Sequence, residues 1–163
     1  MRDPAPNFRA RFSYGNPHAP FGIGAYTVTV GIDDVVELVH ERGGKRRRWT
    51  ARAEPAVATT LAAGLVSAKF PAPPSTRVGR PGTSSFALEV PRDDGTVERA
   101  GGFPSPNYRD VSFMFSHIVS QMSGDAVLGF SLPVETQYVS DAKENSEHAP
   151  TKPEGANGGD ANE

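Results

Sequence analysis

The 163-residue sequence contains no cysteine, and its apolar runs are too short to cross a membrane. Without cysteine, the chain forms no disulfide, thiolate nucleophile, zinc finger or Cys-ligated iron–sulfur cluster. This absence fits a reducing compartment, so we expect a cytoplasmic protein with no membrane association. We also expect no signal peptide, because no apolar segment follows the first residues.

Motifs for catalysis or cofactor binding are also missing. The sequence has no His-Glu-x-x-His run, no Gly-x-Ser-x-Gly elbow and no Gly-Lys-Ser or Gly-Lys-Thr loop, which argues against the enzyme and nucleotide-binding classes that use them. Gly22-Ile23-Gly24 precedes an expected strand, whereas a dinucleotide-binding loop follows a strand and opens a helix. We therefore expect no cofactor, no metal and no catalytic constellation of a familiar kind.

The charge is distributed unevenly along the chain. Residues 141–163 hold six acidic and two basic side chains, a net charge of −4, while residues 1–140 carry +2. Residues 141–163 also lack any large apolar side chain, so their folding would bury too little surface to offset the loss of chain entropy. We expect a single domain over residues 1–140 and a disordered acidic tail over residues 141–163.

The first third of the chain alternates between apolar and polar residues, which is typical of half-buried strands. Asp33-Asp34 and Gly43-Gly44 provide tight turns, and glycine supplies the positive φ that a two-residue hairpin requires. The pattern predicts a four-stranded antiparallel meander. Its strands are expected at residues 8–14, 25–32, 35–41 and 46–52.

Helical spacing replaces the alternation after Glu54-Pro55. Val57, Leu61 and Leu65 recur every four residues and predict a helix that Phe70-Pro71 ends. A hairpin over residues 85–100 is expected next, with an Asp-Gly turn.

A second helix is predicted from Ser105-Pro106, with Ser105 as its cap, to the stop signal Ser123-Gly124. A last strand is expected over residues 134–139.

Grouped strands followed by helices indicate an α+β fold. We expect a twisted antiparallel sheet of about five to seven strands, with two helices packed on one face. The residues expected to form the core are Tyr26, Val28, Val30, Trp49, Leu61, Leu65, Phe86, Leu88, Tyr108, Phe115 and Ile118.

The titratable residues show no spacing that favours catalysis. The four histidines, His18, His40, His117 and His148, share no metal-ligand spacing, and we interpret each as a partly exposed polar residue. Asp33-Asp34 and Asp93-Asp94 lie in expected turns, where aspartate bonds the local backbone. We interpret both pairs as turn formers and not as acid–base pairs.

A cluster of basic residues is the one departure from an ordinary surface. Alternation along the strand places Arg46, Arg48 and Arg52 on the face away from Trp49, and Arg47 on the same side as Trp49. Three interpretations stay open: a solvated strand face, a contact for an acidic protein, and a nucleic-acid contact, for which the overall charge is low. The candidate partner-binding residues are Arg42, Lys45, Arg46, Arg48 and Arg52.

The order of these elements carries a resemblance to a known family. The relevant pieces are Arg42-Gly43-Gly44, the helix with Leu61 and Leu65, the strand with Phe86 and Leu88, and the helix from Pro106. Over residues 26–122 this layout resembles the small bacterial emfourin-type protease inhibitors. The N-terminal strand, the arginine run and the acidic tail depart from that layout. The resemblance implies a non-enzymatic, partner-binding role, and no inhibitory residue is carried over.

Three functions are compatible with the sequence. The first is a protein-binding module of inhibitor or immunity type, since toxin-immunity proteins have similarly small α+β scaffolds. The second is an enzyme with dispersed catalytic residues such as His40, Asp110 and His117. The third is a structural or accessory subunit of a larger bacterial assembly. The oligomeric state is left open.

Overall fold

The computed structural model describes residues 8–16, 18, 22–31, 33–71, 85–102 and 106–145. Seven strands and two helices lie within these ranges. The strands are β1 (Arg9–Gly15), β2 (Ala25–Gly31), β3 (Val35–Arg42), β4 (Lys45–Ala53), β5 (Ser85–Pro91), β6 (Val97–Gly102) and β7 (Val139–Asn145). The helices are α1 (Val57–Ser67) and α2 (Arg109–Ser123), and a 3₁₀ turn, Pro106–Tyr108, precedes α2.

The seven strands form one antiparallel sheet in the order β6-β5-β1-β2-β3-β4-β7. The expected meander is confirmed, because β1 to β4 are neighbours in both sequence and space. The β5–β6 hairpin adds to the free edge of β1, where Phe12 pairs with Leu88. β7 returns to the other edge and pairs with β4. The α+β class and the antiparallel sheet are therefore as predicted.

The core lies against one face of this sheet. Alternation puts Phe12, Val28, Leu38 and Leu88 on that apolar face, and each is at most 2% exposed. The opposite, polar face carries the residues between them, such as Arg11. All eleven residues expected in the core are buried.

The helices contribute apolar stripes to the same core. α1 buries Val57, Leu61 and Leu65 as predicted, although it begins two residues after Pro55. In α2, the ring of Phe115 stacks on that of Phe12 with a centroid distance of 4.7 Å. The expected cap, Ser105, lies outside the described residues. No helix among the described residues is long and apolar enough to cross a membrane.

β7 corrects two expectations about the C-terminal part of the chain. It begins at Val139, so residues 134–138 precede the last strand and do not form it. It extends to Asn145, so residues 141–145 of the expected disordered tail are a strand paired with β4. Backbone hydrogen bonding to a neighbouring strand does not require apolar side chains, and composition alone missed it. The rest of the expected tail, residues 146–163, lies outside the described residues.

An ion pair links β7 to β4. Arg47 donates two hydrogen bonds to the carboxylate of Glu144, from Nε to Oε1 at 2.7 Å and from its terminal nitrogen to Oε2 at 2.9 Å. The guanidinium also lies 4.8 Å from the ring centre of Trp49. The hydrogen bonds from Arg47 lower the pKa of Glu144 below its ordinary value.

We expect Glu144→Gln to lower the free energy of unfolding by less than about 1 kcal/mol at neutral pH, because both partners are well exposed. The pKa of Glu144 is lower in the folded protein, so the pair stabilises above the unfolded pKa of this carboxyl. The difference between variant and wild type should vanish as the pH falls through the lowered, folded pKa. Urea melts at several pH values measure this. Glu135→Gln, an exposed glutamate with no ion pair among the described residues, is the control, and an equal loss there would contradict the assignment.

Candidate functional site

The β3–β4 hairpin positions the basic cluster. Gly43 and Gly44 both have positive φ, 56° and 74°, as a two-residue turn with the twist of the flanking strands requires. Arg42 pairs with Lys45 across the turn, and the ladder continues without interruption to Arg52. The turn thus fixes the register and, with it, the face on which each basic side chain lies.

Alternation divides the cluster between the two faces, as predicted. Trp49 and Ala51 are buried on the apolar face. Arg46, Arg48 and Arg52 lie on the polar face, and we refer to these three residues of β4 as the basic strip.

The two candidates nearest the turn lie elsewhere. By strand parity, Arg42 and Lys45 are on the same side as Trp49, at the exposed tip of the hairpin. The structure therefore brings together three of the five candidate partner-binding residues and places the other two at the tip.

The three arginines of the basic strip differ in their partners. The Nε of Arg46 lies 3.6 Å from the carboxylate of Glu41, its cross-strand neighbour. Arg52 has no ion pair with another described residue and is exposed. Arg48 is half-buried, and its Nε is fully buried without a hydrogen-bond partner among the described residues. An unsatisfied donor of this kind is energetically costly, and because this nitrogen is shielded from solvent, a binding partner can reach Arg48 only at the other atoms of its guanidinium group.

The polar face also contains a depression of about 550 Å³. Its floor consists of short side chains, such as Thr27, Thr29 and Val39. Long charged side chains from five strands surround this floor, and their length gives the depression its depth. They are Arg9, Arg11, Glu37, Glu41, Arg46, Glu89 and Arg99.

Charges within the depression are largely paired. Glu89 lies 3.0 Å from Arg99 and 3.8 Å from Arg11, which belong to the strands on either side of it. Arg46 lines the depression at its β4 side and pairs with Glu41. Among the described residues, the positive charges of the polar face without an ion pair are therefore at one end of the sheet, at Arg48 and Arg52 of β4 and at Lys143 of β7. Alternation within β1 is enough to place Arg11 on a polar face, but its contact with Glu89 depends on the long-range pairing of β1 with β5.

No family model matches the chain, and a search of the curated proteins finds no match. The emfourin-type and immunity-like interpretations consequently stay proposals.

Two histidines correct the interpretation that all four are partly exposed. His40 and His117 are each only 5% exposed. His40 shares the apolar face with Leu38, and its Nε2 bonds the carbonyl oxygen of Ile23. His117 packs edge-on against the Phe113 ring at 4.4 Å, and its Nε2 has no hydrogen-bond partner among the described residues. His18 is exposed as expected, and His148 lies outside the described residues.

Two of the residues considered for a dispersed active site are apart from each other. Asp110 and His117 lie on α2, two turns or about 10 Å apart along the axis. His40 lies on β3 and bonds Ile23. Within the described ranges, no three His, Asp or Glu residues are grouped so as to hold a metal ion.

The acidic pair of the β5–β6 turn behaves as a turn former. Oδ1 of Asp94 accepts hydrogen bonds from the Thr96 backbone nitrogen at 2.8 Å and from its hydroxyl at 2.6 Å. These bonds lower the pKa of Asp94, the hydroxyl bond being the larger cause. The other pair also lies in a turn, and Asp33 is 3.9 Å from Arg9. The interpretation as turn chemistry is confirmed for Asp94.

Proposed function

We propose that the protein is a non-enzymatic protein-binding module whose basic strip contacts an acidic surface of its partner. The observation that carries this proposal is that neither Arg48 nor Arg52 of β4 has an ion pair with another described residue, and that Arg52 is exposed and Arg48 half-buried. A carboxylate from a partner would accept hydrogen bonds from these guanidinium groups in a planar, two-pronged geometry. Such contacts give specificity and speed the encounter of opposite charges.

In this proposal both helices cover the apolar face, and the polar face is left for the partner. The depression then receives polar side chains of the partner, while the basic strip meets its acidic groups. Arg42 and Lys45, at the hairpin tip, contribute to the positive field that steers the approach. Nucleic acid is a poor alternative, because residues 1–140 carry a net charge of only +2, far from the strongly basic balance of nucleic-acid-binding modules.

The inhibitor or immunity type of binding is proposed on the emfourin-type layout and on the small scaffold without a catalytic constellation. A cytoplasmic setting is proposed from the lack of cysteine. In either type, the partner is another protein whose activity this chain blocks.

The strip can be tested by association kinetics. Proteins retained by the immobilised chain from its native lysate are identified, and the tightest one is purified. We expect Arg46→Gln/Arg48→Gln/Arg52→Gln to slow association with it by about tenfold or more at low salt and to remove most of its salt dependence. Thermal melts should show a folded variant, because the exposed charges of Arg46 and Arg52 contribute little to stability and glutamine keeps a polar side chain at the half-buried position of Arg48.

A matched variant removes the same charge elsewhere. Lys69→Gln/Arg92→Gln/Arg109→Gln alters exposed residues after α1, in the β5–β6 turn and at the start of α2, and should change the association rate less than threefold or so. Equal effects of the two triple variants would refute the strip as the contact. The strip would also be refuted if the association rate and its salt dependence were the same for the wild type and both triple variants.

A further inference from the structure

A second cavity lies on the other side of the sheet, between the apolar face and α2. Its volume is about 440 Å³, within the range of roughly 300–1,000 Å³ that is typical of small-molecule sites. The rings of Phe12, Tyr26 and Phe86 form its wall on the sheet. They stand on β1, β2 and β5, respectively, which are neighbours in the sheet, and both ladders are regular. This aromatic wall is therefore held in place before any ligand arrives.

The opposite wall is built by α2 and the segment after it. Ser112 and Ser116 line the cavity from the helix, and Leu128 closes it from the following segment. Phe113 and Phe130, also in the lining, are 58% and 57% exposed. Two large apolar side chains that remain in water beside an apolar cavity are typical of a binding site and unusual for plain surface.

The hydroxyl groups of Ser116 and Tyr26 provide polar atoms in the largely apolar lining of the cavity. Ser116 donates its one hydroxyl proton to the backbone oxygen of Ser112, at 3.0 Å. Ser116 and Tyr26 both line the cavity, and because the proton of Ser116 is already used, its oxygen can only accept a hydrogen bond there. A phenolic hydroxyl can donate one hydrogen bond and still accept another. The phenolic oxygen of Tyr26 therefore keeps a free lone pair. Burial raises the pKa of Tyr26 to about 12, which keeps this hydroxyl neutral at physiological pH.

We propose that this cavity binds a neutral aromatic molecule carrying one hydroxyl or N–H group, of the phenol, naphthol or indole class, with Tyr26 accepting its hydrogen bond. The described lining residues include no charged side chain, so an ionic ligand would lose its hydration without a counter-charge. The aromatic wall offers offset or edge-on contacts to a ring. The cavity is separated from the basic strip by the sheet itself, so this inference goes beyond the proposed function and does not depend on it.

Fluorescence of N-phenyl-1-naphthylamine, a neutral aromatic amine that brightens in apolar surroundings, tests the location. We expect saturable one-to-one binding to the wild type. Ser112→Phe places a ring inside the cavity and should weaken binding at least about tenfold. The matched control, Ser67→Phe, adds the same ring at the exposed end of α1 and should leave binding unchanged.

A second variant keeps this test decisive if Ser112→Phe fails to fold. Phe130→Ala removes an exposed ring at the cavity and should weaken binding of the probe about threefold or more. Absence of saturable binding to the wild type would overturn the proposal. Binding that neither Ser112→Phe nor Phe130→Ala weakens would overturn it too.

Competition tests the role of Tyr26. 2-Naphthol and 2-methoxynaphthalene share their rings, but only the first has a proton to donate. We expect 2-naphthol to displace the probe from the wild type about threefold to tenfold more effectively, and Tyr26→Phe to reduce this preference. An equal preference in both proteins would overturn the assignment of Tyr26.

Self-association through the same apolar surface is the alternative to a small-molecule site. If size-exclusion chromatography showed a dimer that Phe113→Ala or Phe130→Ala dissociates, and that excludes the probe, a second copy of the chain would be the occupant. That result would overturn a small-molecule site. A species whose elution volume is unaffected by either variant, together with probe binding, supports it.

Discussion

Phe115→Ala should lower the free energy of unfolding by about 3–5 kcal/mol, the largest effect we expect from a single side-chain truncation in this protein. Phe115 is completely buried and its ring is nearly parallel to that of Phe12, with an interplanar angle of 9°. Truncation removes this contact and leaves a cavity where α2 meets the sheet, which the surrounding strands can fill only in part. Equilibrium denaturation in urea, with the slope compared between proteins, provides the measurement.

The same helix offers a control for this prediction. Phe113→Ala removes the same ring at a position that is 58% exposed, so the loss should be under about 1 kcal/mol. If the two variants were equally destabilised, the burial of Phe115 against Phe12 would not be the cause of the loss. If Phe115→Ala were nearly neutral, its stripe would face solvent or a partner.

Gly24→Ala should have the second largest effect, a loss of about 3 kcal/mol or more, through the backbone and not through packing. Gly24 has a φ of +77°, and a Cβ at this position would lie 2.3 Å from the carbonyl oxygen of Glu41. That oxygen belongs to β3, which cannot move away without disturbing the ladder to β2. The variant must therefore bear an unfavourable φ and also shift a strand. Thermal and urea melts report the sum of the two costs.

Gly95→Ala separates these two costs. Its φ is nearly the same, +81°, but nothing lies within 4 Å of the added Cβ. Only the conformational cost of about 1–2 kcal/mol is expected there. The difference in unfolding free energy between the two variants measures the cost of the close approach between Gly24 and β3. No difference between them would mean that the chain around Gly24 adjusts freely.

Local patterning predicted the sheet and helices well, since alternation and four-residue spacing are direct consequences of strand and helix geometry. The same reasoning could have placed His40 correctly. His40 has the parity of Val36 and Leu38, so its burial follows from the strand pattern. The prediction that His40 is partly exposed follows from its residue type alone, because histidine is often exposed. Its position in the strand decides its burial instead.

Other features depend on pairing between distant segments. Residues 141–145 have no apolar pattern, and their strand exists because β4 offers an edge and Arg47 binds Glu144. The depression likewise requires β5 to lie beside β1, which no local signal specifies. The split of the basic cluster was predictable because it depends only on alternation within β4. The unsatisfied Nε of Arg48 was not, because it depends on what the neighbouring strands leave unpaired.

The strand order has a consequence for how the chain folds. The four central strands are joined through neighbours in sequence, so their pairing closes short loops and is fast. The β1–β5 contact, such as Arg11 with Glu89, and the β4–β7 contact, such as Arg48 with Asn145, join residues far apart in sequence. β5 can pair only once β1 is in place, and β7 only once β4 is in place, because β1 and β4 are the edges of the meander. We therefore expect the central four strands to pair before the outer strands on either side, so that the aromatic cavity wall and the charged depression are completed only late in folding.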